Sequence, residues 1–446
     1  MNWQRSVTLM LVLALFVGIS AVVVVQAKQQ VTLTMTLAAP AERWDLLLPL
    51  AEEKFEAEHP DIDLVLDYEV LPYGETRSKI ITMMAARTPR DLISTDQPWL
   101  GEFAEGGFLK DITAEIEAWG RMDEFYNFAV GGSMYDGKYY GIWTWTDARL
   151  IWYWKDMLAE AGVEPEELTT WGTYIEAAKK LNEYWRPKGV EGVLLIGDPW
   201  AADWWFPYLW MLGGEITRPV ELNGYIGEYP DYYGSAGVTA LQLIVDQAEA
   251  GITPLIGHRW GDRFGARKYA VWLGGTWAIG HVPGWANPDE KEIVQRRVGV
   301  IPMFPVPTPG LPTSTMMGGW ELCIPATSKH PDIAWEFLKT IEQPEILVQM
   351  LAEFGYLPTQ VTIAEEPEYS SQLEEYWGRD YYTALSSILP YGHRRPNYAE
   401  YPKIADHIYT AIDEAMRGMK SPKEALTDAA RKSAEVLGVP ENLWPE

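Results

Sequence analysis

Residues 31–68, VTLTMTLAAPAERWDLLLPLAEEKFEAEHPDIDLVLDY, carry the pattern from which the fold is read. Val31, Leu33, Met35 and Leu37 alternate with Thr32, Thr34 and Thr36, the two-residue period of a strand with one buried face. A helical stretch follows to about Glu58 and stops at His59-Pro60, where proline removes the N–H that a further turn needs. Pro49 weakens the opening turn of that helix for the same reason. Alternation returns from Ile62 to Tyr68, then Thr76 to Arg87 reads as helix and Asp91 to Thr95 as a short strand. Strands and helices taking turns in this way predict an α/β fold with a largely parallel sheet, because helical crossovers are what join parallel neighbours.

Further along, Asp136-Gly137-Lys138 marks a turn into a long aromatic strand that ends near Tyr153. Helices are predicted over Thr170–Tyr184 and Val238–Ala250. Residues 301–312 contain Pro302, Pro305, Pro307, Pro309 and Pro312 and little regular pattern, which suits a crossing between lobes. The last third is mostly helical: Pro331 to Ile341, Tyr401 to Arg417, and Ser421 onward. Ser421-Pro422-Lys423-Glu424 is a strong helix start, with proline at the first helical position and a capping-box Glu three residues after the Ser. No internal repeat is found.

At the other end, Arg5 precedes an uncharged apolar run from Val7 to Val25, closed by Gln26-Ala27. That is the layout of an export signal, residues 1–27, although the run is also long enough to remain as a membrane anchor. Either way the rest of the chain is expected outside the cytoplasm, periplasmic or extracellular. No cysteine lies near the junction to take a lipid.

Composition narrows the function. Among 446 residues, 36 Lys and Arg face 63 Asp and Glu, a net charge of −27 that disfavours nucleic acid and anionic lipid as partners. The single cysteine, Cys323, rules out an internal disulfide framework and a multi-cysteine zinc site. Twenty-two Trp and 24 Tyr are an unusual load of flat rings. Most belong to a core, but so many suggest a surface that stacks on a ligand.

Several chemical motifs fail on inspection. Gly132 through Tyr139 nearly matches a phosphate-binding loop, but Tyr139 stands where a hydroxyl must hold magnesium, so a hairpin turn at Asp136-Gly137 is the better reading. The six histidines (His59, His258, His281, His330, His393, His407) are scattered, and no Gly-x-Ser-x-Gly elbow exists. No cofactor, metal or nucleophilic serine is expected. Asp203 beside Trp204-Trp205, or Asp147 beside Trp143 and Trp145, would suit a glycosidase, yet they suit a non-catalytic sugar pocket equally well. Sugars have apolar C–H faces and polar edges, and tryptophan faces with carboxylates at the rim hold both. Trp152 and Trp154 alternate along a strand and read as core; Trp99, Trp277 and Trp320, beside Gly, Pro or turn positions, read as ligand candidates.

Five blocks in order then carry a resemblance. They are Lys79 to Thr113 with Thr88-Pro89-Arg90-Asp91-Leu92, Asp136 to Asp156, Arg267 to Trp277, Gly318 to Pro325 with the helix from Pro331, and Gly355-Tyr356-Leu357-Pro358-Thr359. Together they resemble the extracellular solute-binding proteins of ATP-driven (ABC) importers, in the sugar-binding group that includes maltose-binding protein. The chain departs from the family at Arg87 and at Trp154, where Asn is usual.

The resemblance implies a two-lobe periplasmic-binding-protein fold, each lobe a mostly parallel sheet flanked by helices, with a ligand cleft between them. Lobe 1 is expected at 28–145 plus about 303–328, and lobe 2 at about 146–302 plus 329–446. It implies a saccharide ligand, a membrane permease as partner and no chemistry of its own; the number of candidate rings favours an oligosaccharide over a monosaccharide, and a monomer is expected. Trp44, in the first loop after a strand, and Asp96, Gln97, Trp99, Trp143, Trp145, Asp147, Arg149, Trp204, Trp277, Trp320 and Tyr356 are the expected site residues, with rings for stacking and Asp96, Asp147 and Gln97 for hydroxyls. Arg149 has two readings: a partner for an acidic sugar, or a hinge salt bridge with Asp147 or Asp156. The alternatives to the whole assignment are a secreted carbohydrate-active enzyme and the same fold binding a non-sugar solute.

Overall fold

A computed structural model describes residues 28–194, 201–252, 264–277 and 297–445. The apolar N-terminal segment, Trp200, His258 and His281 lie outside the described residues. In chain order the strands are β1 (Gln29–Ala38), β2 (Ile62–Leu71), β3 (Leu92–Asp96), β4 (Met134–Tyr135), β5 (Lys138–Tyr139), β6 (Gly141–Trp154) and β7 (Glu191–Leu194). They continue as β8 (Thr217–Leu222), β9 (Tyr225–Pro230), β10 (Tyr269–Gly275), β11 (Val298–Ile301), β12 (Thr315–Cys323), β13 (Leu357–Pro358) and β14 (Gly392–Arg394).

The main sheet runs β2-β1-β3-β12-β6-β10-β7, with β11 and β13 also on β6 and β14 on β12. Its flanking pairs are parallel, β1 with β2 and β3, and β10 with β7. The middle is antiparallel, because β6 and β12 run against each other and against their outer neighbours. The sheet has two halves that meet along β6. Residues 141–148 of β6 pair with β12, and residues 149–154 pair with β10 and β11. All fourteen residues of β6 are buried, since the strand is covered wherever it runs.

Local sequence explains the elements. The alternation at 31–37 becomes β1, and the helix Ala41–Glu58 returns the chain to β2. The Asp136-Gly137 hairpin is present: β4 pairs with β5, and φ is 48° at Asp136 and 73° at Gly137, the left-handed pair that a tight hairpin needs. Ser421 and Glu424 form the expected capping box at the start of Pro422–Val436. Trp152 and Trp154 are core, with Trp152 fully enclosed.

Helices cover both halves. Ala41–Glu58 packs against Pro331–Ile341 and Pro344–Phe354, on the side of β1 and β2. Ser235–Glu249 packs against Ala201–Met211, Tyr401–Met416 and Pro422–Val436. A bulge interrupts the β6–β12 ladder. Trp320 faces Trp145 and Glu321 faces Trp143, so Thr144 has no partner across the ladder.

Candidate ligand-binding cleft

The strand register concentrates chemistry at the end of β3 and the middle of β12 and β6. β3 ends in Asp96, opposite Trp320, and Trp320 is also opposite Trp145. Gly318 lies opposite Asp147 and donates its N–H to Asp147 Oδ1 at 3.0 Å. Arg149 begins the part of β6 that pairs with β10. Asp203 arrives on the helix Ala201–Met211, and Arg395 follows β14.

These groups form one buried ion cluster. Arg149 Nη1 donates to Asp147 Oδ1 at 2.5 Å, and Arg149 Nη2 reaches Asp203 Oδ2 at 3.4 Å. Arg395 Nη2 donates to Asp96 Oδ1 at 2.7 Å, while its Nη1 lies 3.6 Å from the same Asp203 oxygen. Tyr73 donates its hydroxyl to Asp96 Oδ2 at 2.7 Å. Burial by itself would lower the Arg395 pKa, but Asp96 and Asp203 outweigh it and hold the guanidinium firmly charged. Each carboxylate in the cluster has a guanidinium partner, and burial still raises the Asp96 pKa above its ordinary value; such paired groups can hold hydroxyls.

An aromatic wall stands beside the cluster. The Arg43 guanidinium carbon sits 4.8 Å from the Trp145 ring centroid, 5.2 Å from Trp44, 5.6 Å from Trp320 and 5.9 Å from Tyr356. Its Nη2 donates to Ala38 O at 2.7 Å and Ala39 O at 2.9 Å, which fixes the side chain among the rings. Trp145 and Tyr356 stack at 6.2 Å. Trp320 meets Trp99 and Tyr73 edge-on at 5.8 and 5.7 Å. Trp145 Nε1, Gln97 Oε1 and the Tyr401 hydroxyl are buried and make no hydrogen bond among the described residues.

The expected residues divide into two groups. Asp96, Asp147 and Arg149 meet in the ion cluster, with Trp204 5.2 Å beneath the Arg149 guanidinium. Trp44, Trp145, Trp320 and Tyr356 surround Arg43, and Trp99 backs Trp320. Gln97 donates to Arg395 O at 3.0 Å. Trp44 lies in the first helical turn rather than in a loop, and its Nε1 donates to Ala38 O. Trp143 turns into the core, edge-on to Phe128, with its Nε1 on Trp145 O. Trp277 packs edge-on against Trp272 at the end of β10. Of the two readings of Arg149, the ion pair with Asp147 is the one present; Asp156 pairs with Arg267 instead.

Residues 51–374 match the family model of the bacterial extracellular solute-binding proteins. The chain belongs to that family. A putative binding protein of Brucella abortus is 24% identical over 95% of this chain and 97% of its own length. The arabinooligosaccharide-binding protein of Bacillus subtilis is 23% identical, covering 85% and 86% of the two chains. Among solved structures, a receptor of Streptomyces glaucescens crystallised unliganded and with acarbose superposes with a TM-score of 0.75 at 24% identity, over 92% of this chain and 99% of that one. Solute-binding proteins of this family capture ligands rather than transform them. For this member, sequence reasoning missed Arg43, Tyr73, Arg395 and Tyr401. The one available signal was a basic doublet, Arg394-Arg395, in a strongly acidic chain.

Proposed function

We propose that this solute-binding protein captures a saccharide, an oligosaccharide rather than a monosaccharide, and delivers it to the membrane permease of an ABC importer. The observation that carries the reading is the wall of Trp145, Trp320 and Tyr356 standing beside the charged edge of Asp96, Asp147 and Arg149. Flat rings suit the C–H faces of a sugar, and paired carboxylates and guanidiniums suit its hydroxyls. The arabinooligosaccharide-binding relative and the acarbose-binding neighbour support the same class of ligand.

The lobes take the boundaries already given, 28–145 with about 303–328 and about 146–302 with 329–446. The packing of 331–354 on 41–58 supports grouping those two helices with lobe 1 instead. The cleft then lies at β6, and its site residues are those expected from sequence apart from Trp143, which belongs to the core, joined by Arg43, Tyr73, Asp203 and Arg395. The mature chain is exported and monomeric, and it catalyses nothing. A thermal-shift screen of the mature chain against arabinotriose, maltotriose and acidic oligosaccharides tests this. A sugar at a hundred times its Kd adds about 2.7 kcal/mol and raises Tm visibly. Recovery of that sugar unchanged supports capture, its hydrolysis supports the enzyme, and no shift from any sugar overturns the saccharide reading.

A further inference from the structure

Glu342 is wholly enclosed, one residue past the helix Pro331–Ile341, and belongs to neither the ion cluster nor the aromatic wall. Its Oε2 accepts from Gln360 Nε2 at 2.9 Å, and the same nitrogen donates to Glu342 O at 3.0 Å. Its other oxygen, Oε1, has no hydrogen-bond donor among the described residues. Thr144, turned out of the β12 ladder by the bulge, donates its hydroxyl to Ile142 O at 3.3 Å.

The chain between Gln360 and the wall is stitched to β6 throughout. Thr359 donates its hydroxyl to Thr144 O at 3.2 Å, Pro358 lies opposite Trp145, and Leu357 lies opposite Thr146. Tyr356 comes next and stacks on Trp145. The two hydrogen bonds from Gln360 Nε2 to Glu342, together with Arg121 Nη2 on Gln360 Oε1 at 3.4 Å, the Phe125–Gln360 bridge and the Tyr126 N–H on Thr359 O at 2.9 Å, set where this segment begins, and the segment sets where the Tyr356 ring sits.

We propose that Glu342 is a positioning residue for the cleft, its carboxyl holding Gln360 so that Tyr356 and Trp145 keep their spacing. What the cleft takes rests on the saccharide reading; the coupling does not. Burial pushes the Glu342 carboxyl up to about 7, with Thr144, Gln360 and Arg121 pulling the other way. Below that pH the neutral carboxyl fits its enclosed site. Above it, a buried charge faces a single guanidinium, that of Arg121, which is already bound to Glu124 at 2.6 Å. The adjoining helices add Glu345, paired with Lys54, and Glu336, paired with Lys339; β6 and segment 356–360 add no charge that faces it. Ionisation strengthens the bond from Gln360 Nε2 while leaving a charge in an enclosed site, so the start of the segment shifts and the wall moves with it.

The test uses 5-fluorotryptophan protein, with the Trp145 fluorine resonance assigned by Trp145→Phe. The wild-type resonance is expected to titrate between pH 6 and 8. Glu342→Gln should hold it at its low-pH position throughout, and Glu342→Ala should displace it at both ends. Maltotriose affinity should change several-fold from pH 6 to 8.5 in the wild type and stay level in Glu342→Gln. A wild-type resonance that is flat from pH 5.5 to 8.5, or one that still titrates in Glu342→Gln, overturns the proposal. Failure of maltotriose and every other sugar to bind overturns the saccharide reading instead and leaves the fluorine result to decide this one.

Discussion

Asp96 and Arg395 are 299 residues apart in sequence and joined by a 2.7 Å charge-assisted hydrogen bond, with both side chains under a tenth exposed. One ends β3 and the other follows β14, so the contact ties the C-terminal segment to the first strands. The same guanidinium reaches Asp203 on the helix Ala201–Met211. Removing it leaves two buried carboxylates short of a partner, which is the costly way to break an ion pair. Arg395→Ala should therefore lose about 3–5 kcal/mol in denaturant unfolding. A loss under about 1 kcal/mol would mean that Arg149 takes over Asp203 and that Asp96 relies on Tyr73.

The aromatic wall needs a probe that does not unfold the protein. Trp145 is 1% exposed, and truncating it should cost about 3–5 kcal/mol of stability, which would obscure binding. Trp320 is only half-buried, packed on Tyr73 and Trp99. Trp320→Ala should weaken the binding of the sugar found by thermal shift about tenfold, the loss of roughly 1.4 kcal/mol of stacking. Trp277→Ala, on the β10 side against Trp272, should cost less. Calorimetric titration of both variants checks the order, and a larger effect at Trp277 would move the stacking surface toward β10.

The frame was legible in sequence because it depends on local rules. Two-residue alternation at Val31–Leu37 marks β1, proline and a capping box mark the start of Pro422–Val436, and Asp136-Gly137 marks its hairpin. The site was half legible. Asp96, Asp147 and Arg149 stand out because they are charged residues close to tryptophans in strand-forming sequence. Arg43 and Arg395 do not, since nothing local says that a guanidinium will be buried; the rings of Trp145 and Tyr356 and the carboxylate of Asp96 that hold them come from far along the chain. Trp44 misleads for a related reason. The helix begins at Ala41, earlier than Pro49 suggests, so a residue read as loop sits in a first turn.

Glu342 also carries a stability prediction, whatever its role in the cleft. Its folded pKa, about 7, lies above the ordinary glutamate value. A raised pKa means that stability is fully present below the unfolded value, near pH 4, and is lost as pH rises through the folded one. Ionising the buried group should cost about 3 kcal/mol once pH is well above 7, because each tenfold change in proton affinity is worth about 1.36 kcal/mol. Glu342→Gln should therefore match the wild type at pH 4 and exceed it at pH 8.5. Glu321 behaves the same way, because burial drives its carboxyl well up and neither oxygen is hydrogen-bonded. Glu321→Gln should add to the gain at high pH. Unfolding curves for both single variants and the double variant, at the two pH values, check the sign.

Gly319 and Gly172 should respond to alanine in opposite directions. Gly319 has φ of 139°, in the region L residues avoid, on the strand that carries Trp320. A Cβ there would lie 2.3 Å from both Trp143 Nε1 and Trp145 O, and 2.9 Å from Thr146 Cα. Two of these atoms are backbone and the third is a tryptophan locked by its own hydrogen bond, so none can yield cheaply. Gly319→Ala should cost about 2–4 kcal/mol, combining overpacking with backbone strain. It should also disturb Trp145 and weaken sugar binding. Gly172, in the first turn of Trp171–Trp185, has open space where its Cβ would go. Gly172→Ala should stabilise by about 0.4–1 kcal/mol by narrowing the unfolded ensemble. If both variants unfold alike, the close approach of β12 to Trp143 and Trp145 is not what fixes the wall, and the 356–360 segment would have to hold the rings alone.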